Sequence, residues 1–221
     1  MKLKFFTHVG HELRTPLTLI ISPLETLMKE YQSDAALMDK LNIVQRNALR
    51  LLNLVNQLLD FRKIDVNGYY LSLSDDDIIS CIHTICDSFI SLSEKKDISL
   101  IFHSAVPSLN MLFDGDKMRE VMMSLLSNAF KYTPQGKMIT LFIHENEHNV
   151  AIGVQDQGIG ISESKKASLF VRFENLLDKN LFNQQSSGIG LSLVKELVEL
   201  HKATIRVDSK EGRAVVSRLS F

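Results

Sequence analysis

The sequence predicts an α+β chain, an N-terminal antiparallel helical hairpin followed by an α/β layer. Three observations carry that reading. Apolar residues recur at alternating four- and three-residue spacing as far as Leu58, the turn pair Asn67-Gly68 ends the rhythm, and beyond it short alternating strands interleave with amphipathic helices. The expected division is a helical part over 1–66 and a mixed part over 67–221. The chain has 221 residues, 45% hydrophobic and 23% charged, enough to bury a core. A net charge of −1 with no basic run argues against a sequence-independent grip on nucleic acid. Cys81 and Cys86, five apart on an expected helix, point away from each other, so no disulfide is expected. No apolar run approaches the roughly 18 residues of a membrane span, and no signal-peptide pattern opens the chain. The first helix begins almost at once, so the chain reads as a soluble piece of something longer.

The first helix carries Phe6, Gly10, Leu13, Leu17, Ile20, Leu24 and Leu27 on one seam. After the polar break Tyr31-Gln-Ser-Asp34 the seam resumes at Leu37, Leu41, Val44, Ala48, Leu51, Val55 and Leu58. Two helices joined by a short loop form a hairpin but bury too little alone. Pairing two hairpins into a four-helix homodimer is the expected solution, with packing on the chain's own C-terminal part as the alternative. His11 falls one position after Gly10, at the edge of the stripe and open to solvent. A neutral imidazole is a good nucleophile, and Glu12 stands beside it to take or steer a proton. Pro16 removes the bond to the Glu12 carbonyl and loosens the backbone there.

In the second part Tyr69–Leu73 alternates like a strand, Ile78, Ile82, Ile85 and Phe89 form a helical stripe, and Ile98–Phe102 and Met111–Phe113 read as strands. His83 and His103 belong to this scaffold, and no His/Cys spacing indicates zinc. Asp114 or Asp116 caps the next helix, whose buried face is Met118, Val121, Met122, Leu125 and Ala129. Ser124, Asn128 and Lys131 share a different stripe, costly on an apolar helix unless it faces a polar ligand. Tyr132-Thr-Pro134 ends the helix. A hairpin, Met138–Ile143 with Val150–Val154, runs into Asp156-Gln-Gly-Ile-Gly160, a carboxylate and two glycines that let a flat ligand approach the backbone. A polar stretch, Glu174–Ser187, is long enough for a lid. Ser186-Ser-Gly-Ile-Gly-Leu191 then opens the helix Leu191–His201, offering unpaired N–H groups and the positive dipole end to a phosphate. Thr204–Val207 and Ala214–Phe221 close the sheet.

Four of these signals occur in a telling order: His11-Glu-Leu-Arg-Thr-Pro16, Asn128-Ala-Phe-Lys-Tyr-Thr133, Asp156-x-Gly-x-Gly160 and Gly188-x-Gly-Leu191. Together they resemble the H, N, G1 and G2 boxes of sensor histidine kinases of two-component systems, with Phe170-Val-Arg-Phe173 as the F box. The likeness spans essentially the whole chain and is nearest to the kinase core of membrane-anchored hybrid sensors. It implies a dimerisation and phosphotransfer hairpin followed by a Bergerat-type ATP-binding α/β sandwich, with ATP and Mg²⁺ as cofactors. It further implies that His11 attacks the γ-phosphate with Glu12 as proton acceptor, and that Thr15 orients a water for dephosphorylating the partner. Asn128 would hold Mg²⁺, Lys131 would contact the phosphates and Tyr132 would pack on the nucleotide. Asp156 would take the adenine amino proton, with Gly158 and Gly160 under the ring. Arg172, beside Phe173, would reach a phosphate, while Ser187, Gly188, Gly190 and Leu191 would cradle the triphosphate. The implied partners are a second copy of the chain and a response-regulator receiver domain supplying an acceptor aspartate. A cytoplasmic position below an inner-membrane sensor region follows from the same likeness.

The chain departs from the family pattern at Ser124, where asparagine is usual, and at Ser186, Ala203 and Arg213, where glycine is frequent. These departures favour weaker nucleotide binding than in a full-box enzyme. They also frame the alternatives: a catalytically weak or phosphatase-biased scaffold of the same fold, or a Bergerat ATPase, which needs a carboxylate where Ser124 stands. A coiled-coil adaptor would leave Asn128, Lys131 and both glycine turns unexplained.

Overall fold

A computed structural model describes residues 2–31, 34, 37–45, 47, 48, 51, 70–146, 149–171, 190–209 and 215–221, with side chains of the first helix described from Pro16 onward. The chain divides into two compact units, Met1–Tyr69 and Tyr70–Phe221.

In the first unit, helix α1 (Lys2–Glu30) runs through Pro16 and Pro23 without ending. Each proline removes one intrahelical donor, leaving the carbonyl four residues earlier without its helical partner. Residues 37–45 form α2, started by Asp34, whose Oδ1 accepts from Leu37 N–H at 3.0 Å. Leu17, Ile21, Leu24, Leu41 and Ala48 are buried. Leu19, Ile20, Leu27, Ile43, Val44 and Leu51 remain exposed, so a second apolar face is left open. Ile20, Leu27, Val44 and Leu51 belong to the seam expected from the sequence, yet this hairpin does not cover them.

The second unit is a five-stranded sheet with helices on one face. Strand β1 (Ser74–Asp77) pairs antiparallel with β3 (Asn110–Phe113) as a separate two-stranded sheet. The expected strand at Tyr69–Leu73 is displaced: residues 70–73 lie before the strand, and Tyr70 is fully exposed. The acidic segment is the one that pairs, because Asp77 is held there by two backbone donors, Ile79 N–H at 3.1 Å and Leu109 N–H at 2.9 Å. Asp77 thereby caps α3 (Ile78–Asp87), whose buried face is Ile78, Ile79, Ile82, Ile85 and Cys86. Cys81 and Cys86 are free thiols, and burial pushes Cys86 up to about 11. A short helix that periodicity did not show, α4 (Ile90–Lys96), ends on Asp97 in the left-handed region.

The main sheet runs β2 (Ser99–Ser104), β4 (Met138–Asn146), β5 (Asn149–Asp156), β7 (Val215–Ser220), β6 (Thr204–Ser209), with β2 parallel to β4 and the rest antiparallel. Ile143, Ile152 and Leu219 stand in one row of partners and are fully buried beneath the helices. On the other face Phe142 lies opposite Gly153, where a Cβ would meet its ring at 2.8 Å or less, so the strand needs glycine at that point. Helix α5 (Gly115–Tyr132) begins where Asp114 Oδ1 accepts from Lys117 N–H at 3.1 Å. It packs on α3, on β5 and on the helix we label α7 (Gly190–Leu200). A single turn, α6 (Glu163–Lys166), lies between β5 and α7.

Candidate functional site

The sheet rows end on one side at Ile139, Asp156, Val215 and Ser209, consecutive partners across four strands. Asp156 and Ser209 are both buried there. Chain direction therefore places a carboxylate at the end of β5, where the backbone turns away as Asp156-Gln-Gly-Ile-Gly160. Gly160 takes φ +74°, a conformation glycine adopts without steric cost. Gly158 donates its N–H to Asp156 Oδ1 at 2.8 Å. Burial pushes the Asp156 carboxyl above the ordinary carboxylate value, opposed by the N–H groups of Gly158 and Val215 that bond to it. On the entry side Gln157 N–H bonds to the Met138 carbonyl at 3.1 Å; on the exit side Ile161 N–H bonds to Ser209 Oγ at 2.9 Å.

This turn lies against the end of α5. A Cβ on Gly158 would stand 2.8 Å from the Tyr132 carbonyl oxygen and 2.6 Å from Asp156 Oδ1. Gly158 thus permits a close approach of turn and helix. The α5 terminus is itself braced: Lys96 Nζ donates to the Phe130 carbonyl at 2.8 Å, and Phe89 stacks on Phe130 with ring centroids 5.4 Å apart.

Along the same helix Ser124, Asn128, Lys131 and Tyr132 are half-buried. Lys131 Nζ is buried, has no hydrogen-bond partner among the described residues, and stands 5.0 Å from the Tyr132 ring centroid. An ammonium out of water with only a ring face beside it is expensive unless an anion arrives. Thr133 Oγ1 is also buried without a partner among the described residues, a feature that the sequence did not single out. Gly190, the first residue of α7, comes so near α5 that a Cβ there would meet Ser124 Oγ at 3.2 Å. The N-terminus of α7, with Gly190 and half-buried Leu191, is thus set one turn from Asn128.

Of the residues expected in the site, Tyr132, Asp156, Gly158 and Gly160 meet at one turn. Lys131 adjoins it, and Asn128, Gly190 and Leu191 line the adjacent length of α5. Arg172, Phe173, Ser187 and Gly188 lie outside the described residues, as does the polar stretch 174–187. The backbone at His11, Glu12 and Thr15 is helical within α1, while their side chains lie outside the described residues.

A buried ammonium without a partner among the described residues, the first turn of a helix admitted close by a glycine, and a buried acceptor beside a glycine turn form a set suited to a nucleotide. They fit a phosphate chain at one end and a base at the other. Mg²⁺ fits such a set, since it is bound by few protein ligands plus substrate phosphates, and the described residues hold no group of three or more His, Cys, Asp or Glu that would bind a metal alone.

The fold and site define an α/β nucleotide-binding layer in a chain that also carries a helical unit, and comparison with known proteins gives the family of each. Residues 113–221 match the family described as histidine kinase-, DNA gyrase B- and HSP90-like ATPase, and residues 1–67 match the His kinase A (phospho-acceptor) domain. Histidine kinase P4 of Formosa agariphila is 38% identical over 225 residues, covering 100% of this chain and 16% of its own length. Sensor histidine kinase TmoS of Ectopseudomonas mendocina is 38% identical over 213 residues, covering 96% of this chain and 22% of its own. The chain therefore spans less than a quarter of these relatives. The crystal structure of full-length ShkA in complex with AMPPNP shares the fold, with a TM-score of 0.81 and 21% identity over 98% of this chain and 45% of that one. The chain belongs to the histidine kinase family and is the kinase core of such a protein. No helix among the described residues is long and apolar enough to cross a membrane.

Proposed function

We propose that this core binds ATP with Mg²⁺ in the site on α5 and autophosphorylates on His11. The observation that carries the reading is the buried ammonium of Lys131, without a hydrogen-bond partner among the described residues, close to the Asp156–Gly160 turn. The remaining acceptor capacity of the Asp156 carboxylate takes the adenine amino group, with Gly158 and Gly160 leaving room for the ring and Tyr132 packing on it. Lys131 pairs with the phosphates, and Asn128 holds the Mg²⁺ that neutralises them. Gly190 and Leu191 give the α7 N-terminus to the phosphate chain, with Ser187, Gly188, Arg172 and Phe173 completing the enclosure. In the transfer an imidazole nitrogen of His11 attacks the γ-phosphorus and the bond to the β,γ-bridging oxygen breaks. ADP leaves, and Glu12 takes the imidazole proton.

The phosphoryl group then passes to an aspartate of a response-regulator receiver domain, and Thr15 serves the reverse, hydrolytic step by orienting water. The domains are the hairpin over 1–66 and the catalytic part over 67–221. Two copies of the hairpin pair through the exposed Ile20, Leu27, Val44 and Leu51. The longer protein places this core on the cytoplasmic side of the inner membrane, below an upstream sensor segment.

The test is incubation with γ-labelled ATP. Acid-labile, alkali-stable label in the wild type, absent in His11→Gln, supports the kinase. No label in a wild type that binds Mg²⁺-ATP supports the second reading, a phosphatase-biased scaffold. That reading is favoured by Ser124, whose short side chain replaces the family's usual carboxamide beside Gly190. A Bergerat ATPase is disfavoured by the same residue, which offers no carboxylate to activate water.

A further inference from the structure

The turn that would receive the base is held at both ends by one rung of the β6–β7 hairpin. Ser209 and Val215 are partners across that hairpin, and Val215 is in turn the partner of Asp156 on β5. From this rung the Val215 N–H bonds to the Asp156 carboxylate, where the turn begins. The Ser209 hydroxyl accepts the Ile161 N–H at 2.9 Å, where the turn ends. Ser209 lies two strands from Asp156, about 10 Å at ordinary strand spacing, so the hairpin end spans the mouth of the turn. The hydroxyl is buried, so water does not readily replace it. Between the two anchors Gly160 sits at φ +74°, while Gln157 Oε1 accepts the Met138 N–H at 3.2 Å beside the entry.

We infer that Ser209 is a positioning residue for base recognition, setting the exit of the 156–161 turn so that Asp156 and Gly158 meet the base in one fixed geometry. This rests on the nucleotide reading given above. Without the hydroxyl, the N–H of half-buried Ile161 loses its acceptor, and the turn moves to find another. The base contact is then lost first, while Lys131 and the α7 N-terminus, on other elements, keep their hold on the phosphates. The effect falls on affinity for the nucleoside end, not on the transfer step.

The test uses the full 221-residue chain. Calorimetry with Mg²⁺-ADP on wild type, Ser209→Ala and Ser209→Thr is expected to show about tenfold weaker binding in the alanine variant. Threonine, which keeps the hydroxyl, restores at least half of that loss on the logarithmic scale. Autophosphorylation kinetics should show KM for ATP rising by about the same factor with kcat changed less than twofold. A general loosening of the fold would lower the melting temperature without this split and would not be rescued by threonine. If the alanine variant fails to fold, Ser209→Cys keeps the volume and exchanges the hydroxyl for a weak sulfur acceptor, with the same expectation. Equal ADP affinity in wild type and the hydroxyl-lacking variant overturns the inference. No ADP binding by the wild type overturns the nucleotide reading on which it rests.

Discussion

Asp156→Asn isolates the part of the site on which base recognition depends. The carboxylate already accepts the Gly158 N–H at 2.8 Å and the Val215 N–H, and its remaining lone pairs are offered to the adenine amino group. Asparagine has the same shape but only one acceptor oxygen. If that oxygen keeps Gly158, the new amide NH₂ faces both the Val215 N–H and the adenine amino group, donor against donor. A hydrogen bond to a charged acceptor contributes about 1.5–3 kcal/mol, and the opposed donors add to its loss. A loss of about 3 kcal/mol corresponds to affinity weaker on the order of 100-fold. Calorimetry with Mg²⁺-ADP measures it directly. The stability of the free protein should move differently. Burial raises the Asp156 pKa in the folded state above the ordinary 3.8, so its contribution is fully present below that value and is lost as pH rises through the folded value. In the asparagine variant this titration is gone. The variant's stability relative to wild type should therefore increase as pH rises from about 4, and then level off once the wild-type group is ionised. Nucleotide affinity of the wild type should fall as pH drops through that same raised value. An Asp156→Asn variant that binds ADP as tightly as wild type would refute the assignment of the base to this turn.

The other expectations concern neighbouring features. Lys131→Met removes a buried ammonium that has no hydrogen-bond partner among the described residues, so thermal unfolding of the free chain should rise by about 2–4 °C while affinity for ATP falls about tenfold or more. A variant losing both stability and affinity would show that the ammonium has a structural partner instead. Gly158→Ala puts a Cβ 2.6 Å from Asp156 Oδ1 and 2.8 Å from the Tyr132 carbonyl, and the displacement this forces should cost about 1–3 kcal/mol in denaturant unfolding and weaken ADP binding. Replacing Ile20 and Val44 together by glutamate puts charges on the open face of the hairpin. Sedimentation velocity should show the wild type as a dimer and the variant as a monomer; a dimeric variant would move the interface elsewhere.

What the sequence made legible is what repeats or sits locally. The cap at Asp114, the buried stripe of α5, its end at Thr133 and the β4–β5 hairpin all follow from residues within a few positions of one another. So do the Asp156–Gly160 turn and the glycine at the start of α7, whose chemistry is carried by residue types alone. The rest depends on partners far along the chain. β1 is three consecutive aspartates after a serine, a poor strand by propensity, and it pairs because β3 and the Leu109 N–H are there to receive it. α4 is a seven-residue helix with no buried residue, too short and too exposed to leave a periodic signature. Ser209 reaches Ile161 across 48 positions of sequence, and a serine at the end of a strand gives no local hint of that bond.

Helix α7 is fixed on α5 at two points, and these decide where its N-terminus lies. At one end Gly190 approaches Ser124 closely enough that a Cβ would meet the hydroxyl at 3.2 Å. At the other, His201 Nε2 accepts the Asp114 N–H at 3.1 Å while its Nδ1–H donates to the Leu197 carbonyl at 2.7 Å. A ring that accepts at one nitrogen and donates at the other is the neutral tautomer, so both bonds require an uncharged His201. Asp114 in turn caps α5 through Oδ1 and takes the Ser72 N–H on Oδ2 at 2.8 Å. From Gly190 to His201 the helical rise is about 16 Å, and from Ser124 back to Asp114 about 15 Å, so the two pins match the lengths of antiparallel helices. A shift of α7 by one residue would break one pin or close the gap at the other. The first turn of α7 is thereby held beside Ser124 and one turn from Asn128, which keeps the phosphate end of the site in register with the base end. Ser124 thus sits where the two helices come closest, and the approach depends on glycine at 190, where any Cβ would press on the serine hydroxyl.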